Sequence, residues 1–372
     1  MIRLLEHEGK ALLAKHGIAV PDGALFPRLP PQGPFMVKAQ VLAGGRGKAG
    51  GIRAAADAGA VAREAAAVAS LSIGGERVRG VYVERRLEVA RELYLAVQVD
   101  RDRGQVVVLV CAEGGADVES VAQDRIARLP VDPLNGLQAH TVAAAARALA
   151  GGRPEEAAIA DVVRRAYATL MVEDADLVEI NPLVVTSGGE VIAADAKVTL
   201  DEDAAFRHPG RKAIPDGSAF EEAARRLEVV GIELDGEICA MMNGAGMTMA
   251  TLDQLTAMGG SVRGLVELHG AMAKGPEHLA EVIALMLTLK PDVLLFNVYF
   301  QFRNLVTVAE AIVLGLKRAD PTTLPPVVVR MRGVRAAEAT ALLAPFDVFV
   351  TDDFHRACRR AVELSGRVVI RE

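Results

Sequence analysis

Aromatic residues are scarce in this sequence, which has no tryptophan, four tyrosines and ten phenylalanines. Proteins that bind bases by stacking need exposed rings, so this composition argues against a nucleic-acid-binding function. The net charge of −6 points the same way, because phosphate backbones attract strongly basic surfaces. We therefore expect no nucleic acid among the partners.

Cysteine is also rare. Cys111, Cys239 and Cys358 are far apart and form no CxxC motif. A small, odd number of widely separated cysteines is typical of a reducing compartment and of a protein without a metal–thiolate site. The composition therefore predicts a cytoplasmic protein.

Long apolar stretches are missing as well. The longest uninterrupted one, residues 106–112, is far shorter than the ~20 residues that span a bilayer, so no membrane segment is expected. Residues 1–15 mix charged side chains with leucines, which is not the pattern of a secretory signal. What is present is an ordinary globular balance of 51% hydrophobic and 24% charged residues.

The length of 372 residues predicts two domains at roughly 150 residues each. The Pro- and Gly-containing segment 208–217 is the best linker candidate. Before it, predicted helices over 4–16, 53–70 and 137–171 are mixed with strands, which is an α+β pattern. After it, from a helix over 218–230 onward, strands alternate with helices, which is typical of a doubly wound α/β domain with a mainly parallel sheet.

A glycine-rich loop follows the first apolar strand, residues 35–41, which contains Lys38. A charged residue inside such a strand usually has a partner or a function. Residues 43–51 hold five glycines together with Arg46 and Lys48. Exposed N–H groups and two cations suit phosphate oxygens, although the spacing is not that of a Walker A loop. The residues alone leave open a phosphate-binding loop and a flexible surface hairpin.

The alternating segment 177–199 predicts a β-hairpin with its turn at residues 187–189. Pairing that is symmetric about Gly188 places Asn181 opposite Asp195 and Glu179 opposite Lys197, all on one face. Two oxygen donors so placed can share Mg²⁺ with nucleotide phosphates, and the alternative is a solvated polar face. The other face is predicted to be the core face and carries Val178, Ile180, Val184, Ile192, Ala194, Ala196 and Val198.

Three further positions are consistent with ligand binding but do not require it. Glu84 is predicted to end one strand and Glu92 to begin the next, as in nucleotide clefts or as plain solvated caps. Residues 243–246 (Asn-Gly-Ala-Gly) connect a strand to a helix, whose N-terminus attracts anions.

Several motifs together resemble one family, the β subunits of ADP-forming succinate–CoA ligase. They include Glu179-Ile180-Asn181-Pro182-Leu183 and the glycine loop. The matching segments are residues 4–21, 37–51, 90–95, 113–115, 131–134, 179–183, 243–246 and 249–251. The resemblance spans nearly the whole chain.

This resemblance implies an ATP-grasp nucleotide-binding domain over 1–217 and a flavodoxin-like CoA-ligase domain over 218–372, with ATP and Mg²⁺ as cofactors. It assigns ATP phosphate contacts to Lys38, Gly45, Arg46 and Gly47. It assigns positions in the nucleotide cleft to Glu84, Leu87 (through its backbone) and Glu92. It implies Mg²⁺ ligation by Asn181 and Asp195, catalytic roles for Arg46 and for Glu179, which would face a phosphohistidine, and a carboxylic-acid contact at Asn243.

The resemblance also implies partners. An α subunit would supply the CoA site and the phosphorylated histidine, and the substrate would be a dicarboxylic acid. Succinate, of the tricarboxylic acid cycle, is the family default, while relatives use malate or citrate. Two alternatives stay open: an ATP-grasp carboxylate–amine ligase without an α subunit, and a non-catalytic or regulatory nucleotide-binding paralogue.

Two segments depart from the family pattern. Residues 267–272 (Glu-Leu-His-Gly-Ala-Met) replace a glycine-rich loop, and 300–304 (Phe-Gln-Phe-Arg-Asn) is predicted to be a shortened loop before a helix with Asn304 as its N-cap. Bulky side chains prevent the close backbone approach that glycines allow. We therefore expect a narrower or differently shaped substrate site, in which His269 and Arg303 could bind an additional carboxylate.

Overall fold

A computed structural model describes residues 1–115, 125–210 and 217–366. The chain divides into two units, Met1–Asp216 and Gly217–Glu372. Most of the expected linker, residues 211–216, lies outside the described residues.

The first unit is a mixed α and β structure. Its helices are α1 (Glu6–Lys15), α2 (Ala58–Ala69), α3 (Ala139–Ala150) and α4 (Glu156–Val172). Its strands are β1 (Ile2–Arg3), β2 (Gly23–Leu25), β3 (Phe35–Gln40), β4 (Ile52–Ala55), β5 (Ser72–Ile73), β6 (Glu76–Arg77), β7 (Gly80–Arg85), β8 (Val89–Asp100), β9 (Gln105–Cys111), β10 (Ala127–Val131), β11 (Ala175–Thr186), β12 (Val191–Ala193) and β13 (Lys197–Leu200).

The larger sheet of this unit is antiparallel, with the order β1-β13-β11-β8-β9-β10 and β12 paired to β11. Leu93, Leu95 and Val97 alternate along β8 and are completely buried on one face. Helices α3 and α4 cover that face, and the buried residues of α3 include Ala145 and Ala146. Small alanine side chains let a helix approach a sheet closely, so the alanine-rich composition suits this layer.

The smaller sheet has the order β2-β7-β3-β4 and packs against α2. Val61, Ala65 and Val68 of α2 recur at helical spacing and are buried against the sheet. The predicted helix over 53–70 was wrong at its start, because residues 52–55 form β4 and pair with β3. Asp57 caps the helix by accepting the N–H of Ala60.

The predicted register of the hairpin is confirmed on both sides of its centre. Glu179 pairs with Lys197, and Leu183 pairs with Ala193, so both ladders are symmetric about Gly188. Against β8, however, the register shifts by one residue between Ile180 and Leu183, which is a β-bulge.

The bulge reverses which side chains face the core. The members of the main core on this hairpin are Val178, Ile180, Leu183, Val185, Val191, Ala193, Ala196 and Val198. Val184 and Ile192 are buried as predicted but lie outside this cluster, and Ala194 is half-buried. Their assignment to one face with Val178 and Ile180 was wrong, because one extra residue inverts the alternation beyond it.

The second unit is a doubly wound sheet, as predicted. Its strands are β14 (Val230–Glu233), β15 (Ile238–Met242), β16 (Val262–Glu267), β17 (Val293–Asn304), β18 (Val327–Val334) and β19 (Val348–Thr351). Its helices are α5 (Ala219–Arg226), α6 (Ala245–Ala257), α7 (Pro276–Thr288), α8 (Val306–Arg318), α9 (Ala336–Leu343) and α10 (Phe354–Leu364). The strand order is β14-β16-β15-β17-β18-β19, with only β14 antiparallel to its neighbour.

Two details of this unit differ from the prediction. The helix over 218–230 ends at Arg226, and β14 follows it. Residues 300–304 continue β17 instead of forming a loop, because Phe300 and Asn304 pair with β18. Asn304 precedes the N-cap residue Leu305, although its Oδ1 still accepts the N–H of Val306 at 2.9 Å.

None of the helices among the described residues is long and apolar enough to span a membrane.

Candidate functional site

Lys38 lies in the middle of the smaller sheet, with neighbours in β4 and β7, and is 5% exposed. Its Nζ donates to Glu84 Oε1 at 2.7 Å, to Glu6 Oε1 at 3.0 Å and to the carbonyl of Ala194 at 2.7 Å. The last contact links the smaller sheet to the hairpin of the larger one. The strand lysine therefore has the partners that its burial requires.

These contacts belong to a larger group of side chains, which we call the charge cluster. Its members are Glu6, Lys10, Lys38, Gln40, Arg46, Glu84 and Asp195. The group contains three cations and three carboxylates, so its charges balance. The cations explain why the pKa of Glu6 is held well below its ordinary value, although burial alone would favour the neutral acid.

Glu6, Lys10 and Gln40 were not among the predicted site residues. The available signal for Glu6 and Lys10 was their spacing on α1, which places them on the buried face with Leu13, whereas Gln40 is the last residue of β3. Charged residues at i and i+4 usually indicate a solvated pair, so this pattern alone favours the surface.

Arg46 connects the glycine loop to the hairpin. Its Nη2 donates to both carboxylate oxygens of Asp195, at 2.6 and 2.8 Å, and its Nη1 donates to Glu6 Oε2 at 2.5 Å and to the carbonyl of Ala39 at 3.0 Å. These carboxylates raise the pKa of Arg46 despite the opposing effect of burial, so it stays charged.

The glycines beside Arg46 leave its loop open. Gly45 has a φ of +75°, a conformation that favours glycine. No atom lies within 4 Å of where a Cβ would be at Gly44, Gly45 or Gly47. A ligand can therefore approach the backbone of this loop as closely as phosphate binding requires.

The register on either side, Glu179 with Lys197 and Leu183 with Ala193, places Asn181 and Asp195 across the hairpin from each other. Asn181 Oδ1 accepts the N–H of Gly115 at 2.7 Å, and its Nδ2 donates to the Gly115 carbonyl at 3.2 Å. Among the described residues no group of three or more His, Cys, Asp or Glu is placed to hold a metal. An amide oxygen and a carboxylate suit Mg²⁺ only if phosphate oxygens and water complete its shell.

Glu92 and Leu87 lie near this hairpin. Glu92 is inside β8 and does not begin it, so that prediction was wrong, and it pairs with Val184 of β11. Its carbonyl accepts the N–H of Gly114 at 2.9 Å, and its carboxylate faces Gly115. The turn at 113–115 thus brings Glu92 and Asn181 together. Leu87 is half-buried in the connection between β7 and β8.

The two predicted glutamates of β7 and β8 differ in exposure. Glu84 is one residue short of the end of β7 and is 2% exposed within the charge cluster, whereas Glu92 is exposed. Glu84 is therefore too deeply buried to contact a ligand directly, while Glu92 is accessible.

Glu179 is half-buried in β11, between β8 and β13. Burial, together with the charge of Glu179, raises the pKa of Tyr94 to about 12. Tyr94 and Glu179 therefore lie close enough to interact electrostatically.

In the second unit, Asn243 follows β15 and is bound to the neighbouring strand. Its Nδ2 donates to the Tyr299 carbonyl at 2.7 Å, and its Oδ1 accepts the Tyr299 N–H at 2.8 Å. The nearby N-terminus of α6 is covered by a carboxylate of the protein itself. Glu267 Oε1 accepts the N–H of Gly244 at 2.7 Å and that of His269 at 2.9 Å. Glu267 thus fills the place where we expected an anion.

The glycine loop, the two sheets and the opposed oxygen donors together define an ATP-grasp protein. The profile of the ATP-grasp domain family matches residues 3–185. A solved structure of ATP citrate lyase from Methanothrix soehngenii, in complex with citrate and coenzyme A, has the same fold, with a TM-score of 0.78 at 19% identity over 97% of this chain and 99% of that one.

More similar sequences narrow the class. A succinate–CoA ligase [ADP-forming] β subunit of Desulfurococcus amylolyticus is 33% identical over 98% of this chain and 99% of its own length. Those of Rubrobacter xylanophilus and Chloroflexus aurantiacus are 36% identical, each over 97% of this chain and 98% of their own length. The chain belongs to this family of ADP-forming acid–thiol ligase β subunits, which confirms the resemblance.

Proposed function

We propose that the chain is the nucleotide-binding subunit of a heteromeric acid–CoA ligase. ATP with Mg²⁺ binds between the glycine loop and the hairpin, and the γ-phosphoryl group passes to a histidine of an α subunit, releasing ADP. The phosphoryl group then moves to a carboxylate oxygen of a dicarboxylic acid, and the CoA thiolate displaces inorganic phosphate to form the thioester. Succinate is the first candidate acid, because the relatives' names include it.

The chain's own residues contribute position and charge. Lys38 and Arg46 neutralise phosphate oxygens, and the open backbone at 44–47 provides N–H donors. Asn181 and Asp195 would hold Mg²⁺, which supplies further charge neutralisation when bound. Glu179, fixed between β8 and β13, would orient the acceptor imidazole.

One observation carries this proposal, namely the pairing of Arg46 with Asp195. The proposed phosphate ligand and the proposed metal ligand are held against each other. MgATP can replace that single ion pair with two interactions, phosphate on Arg46 and Mg²⁺ on Asp195. The site therefore holds complementary charges for both parts of the ligand.

The direct test uses the co-expressed pair of this chain and its α-like partner. Labelled phosphate from γ-labelled ATP should appear on a partner histidine, as an acid-labile and alkali-stable bond. A CoA-thioester assay with succinate, malate and citrate then identifies the acid. If the pair is intact and no label is transferred, the proposal is wrong.

A second candidate, a paralogue with an altered acid or a regulatory role, is favoured by the second unit. Glu267 occupies the N-terminus of α6, and both polar atoms of Asn243 are bound to Tyr299. A carboxylate there repels a carboxylate substrate. Thioester formation with none of the tested acids, despite phosphorylation of the partner, would support this candidate.

A further inference from the structure

Two members of the charge cluster, Glu6 and Lys10, lie behind the residues proposed to bind ATP. Their side chains are each 1% exposed, whereas those of Lys38 and Arg46 are 7% and 11% exposed. At this depth neither Glu6 nor Lys10 can touch a nucleotide. Both are on α1, near the start of the chain and far in sequence from the glycine loop.

Glu6 divides its two carboxylate oxygens between the two cations in front of it. Oε1 accepts Lys38 Nζ at 3.0 Å, and Oε2 accepts Arg46 Nη1 at 2.5 Å. Gln40 Nε2 is a further, longer donor to Oε2 at 3.4 Å. One side chain therefore bridges the Lys38 ammonium and the Arg46 guanidinium.

Lys10 completes the arrangement. It donates to Glu6 Oε1 at 2.7 Å and also pairs with Glu84 Oε2, while Glu84 Oε1 accepts Lys38. Lys10, Glu6, Lys38 and Glu84 thus form a closed ring of alternating charge. Such a ring is rigid, because moving any member breaks two ion pairs in a region of low dielectric constant.

Arg46 is held by opposite ends of its guanidinium. Nη1 is bound to Glu6 and the Ala39 carbonyl, and Nη2 to Asp195. A metal on Asp195 would release Nη2, while Nη1 would keep its contacts with Glu6 and Ala39. The rest of the cluster would then hold three cations and two carboxylates, which would leave an excess positive charge for the phosphates.

We propose that Glu6 is a positioning residue for ATP, which fixes Lys38 and Arg46 so that they meet the triphosphate together, and that Lys10 holds Glu6 in place. This inference rests on the proposed function, because it assumes that the triphosphate binds at Lys38 and Arg46.

The test is calorimetric titration of the full chain with MgATP and, separately, with AMP. In Glu6→Gln the Kd for MgATP should rise about tenfold or more. The substitution removes the negative charge of residue 6, so the hydrogen bonds that it accepts from Lys38 and Arg46 become weaker. The Kd for AMP should change little, because AMP lacks the β- and γ-phosphates. A general loss of structure would weaken both ligands alike.

Two further variants separate positioning from folding. Glu6→Gln combined with Lys10→Met removes one charge of each sign. The double variant therefore restores the charge balance of the cluster but not the carboxylate that holds Lys38 and Arg46. Glu173→Gln is a matched control, because Glu173 is equally buried in the same unit and pairs with Lys15 and His16. The double variant should bind MgATP as weakly as Glu6→Gln, and Glu173→Gln should bind it normally.

The measurements distinguish failure of the positioning role of Glu6 from failure of the proposed function. Normal MgATP affinity in the folded double variant would overturn the inference, and so would a failure of both Glu6 variants to fold, since Glu6 would then serve the fold alone. If the wild-type chain binds no MgATP, the proposed function itself fails, which is a different result.

Discussion

Lys10 and Lys15 offer a direct comparison of a buried with an exposed lysine on one helix. Both lysines are on α1, and both pair with a buried glutamate, Glu6 or Glu173. Lys10 is 1% exposed and Lys15 is 66% exposed. Replacing each with methionine keeps the length of the side chain and removes one charge.

The expected losses are unequal. Lys10→Met leaves Glu6 and Glu84 to share Lys38, and removing one partner of a buried pair costs about 3–5 kcal/mol of unfolding free energy. Lys15→Met removes a lysine that is 66% exposed and leaves the buried Glu173 its hydrogen bond with His16, so the cost is about 1–2 kcal/mol. For a unit of this size the first loss corresponds to a fall of roughly 10 °C in Tm.

The assay is thermal and urea unfolding followed by circular dichroism, since the chain has no tryptophan to report by fluorescence. Wild type and both variants are measured at neutral pH in the same buffer. Equal losses for Lys10→Met and Lys15→Met would refute the reasoning, because they would mean that the charge cluster is not a low-dielectric network. Adding Glu6→Gln to Lys10→Met should recover part of the loss.

Three further results are expected. Asp195→Ala should abolish ATP-dependent phosphorylation of the partner and leave the circular dichroism spectrum unchanged; undiminished phosphorylation would contradict the metal assignment. The pKa of Glu6 in the folded protein lies below its ordinary 4.5, so its contribution to stability is present above that pH and is lost as the pH falls through the folded pKa. In urea titrations the stability advantage of wild type over Glu6→Gln should therefore shrink as the pH is lowered. A difference that stays constant down to pH 3 would contradict this prediction. Gly114→Ala should destabilise the first unit by about 1–3 kcal/mol and weaken MgATP binding, because the added Cβ would overlap the backbone of Leu93. Gly188→Ala is the control and should do neither, because the added Cβ would make only an ordinary van der Waals contact there.

Local patterns predicted much of the hairpin and of the second unit. The pairing of Glu179 with Lys197 follows from the turn glycines, because the register of a hairpin depends on its turn. The bulge at residues 181–182 could not be predicted in this way, because it is a property of the pairing with β8, a strand distant in sequence.

The extension of β17 was missed for a similar reason. Residues 300–304 pair with β18 only at their two ends, Phe300 with Gly333 and Asn304 with Val334, so their place in the strand depends on a partner distant in sequence. Likewise, Glu267 binds the N-terminus of α6 because the parallel pairing of β15 with β16 places their carboxyl ends side by side.

The sequence by itself determined the family, the alternation of strands and helices after residue 218, and the register of the hairpin on both sides of its centre. Tertiary structure alone decided that Glu6 and Lys10 are buried, that Lys38 and Arg46 share one carboxylate, and that Arg46 holds Asp195. The physical reason is that local periodicity sets which face a side chain takes within its own element, whereas the partners of a buried charge come from elements that meet only when the chain has folded.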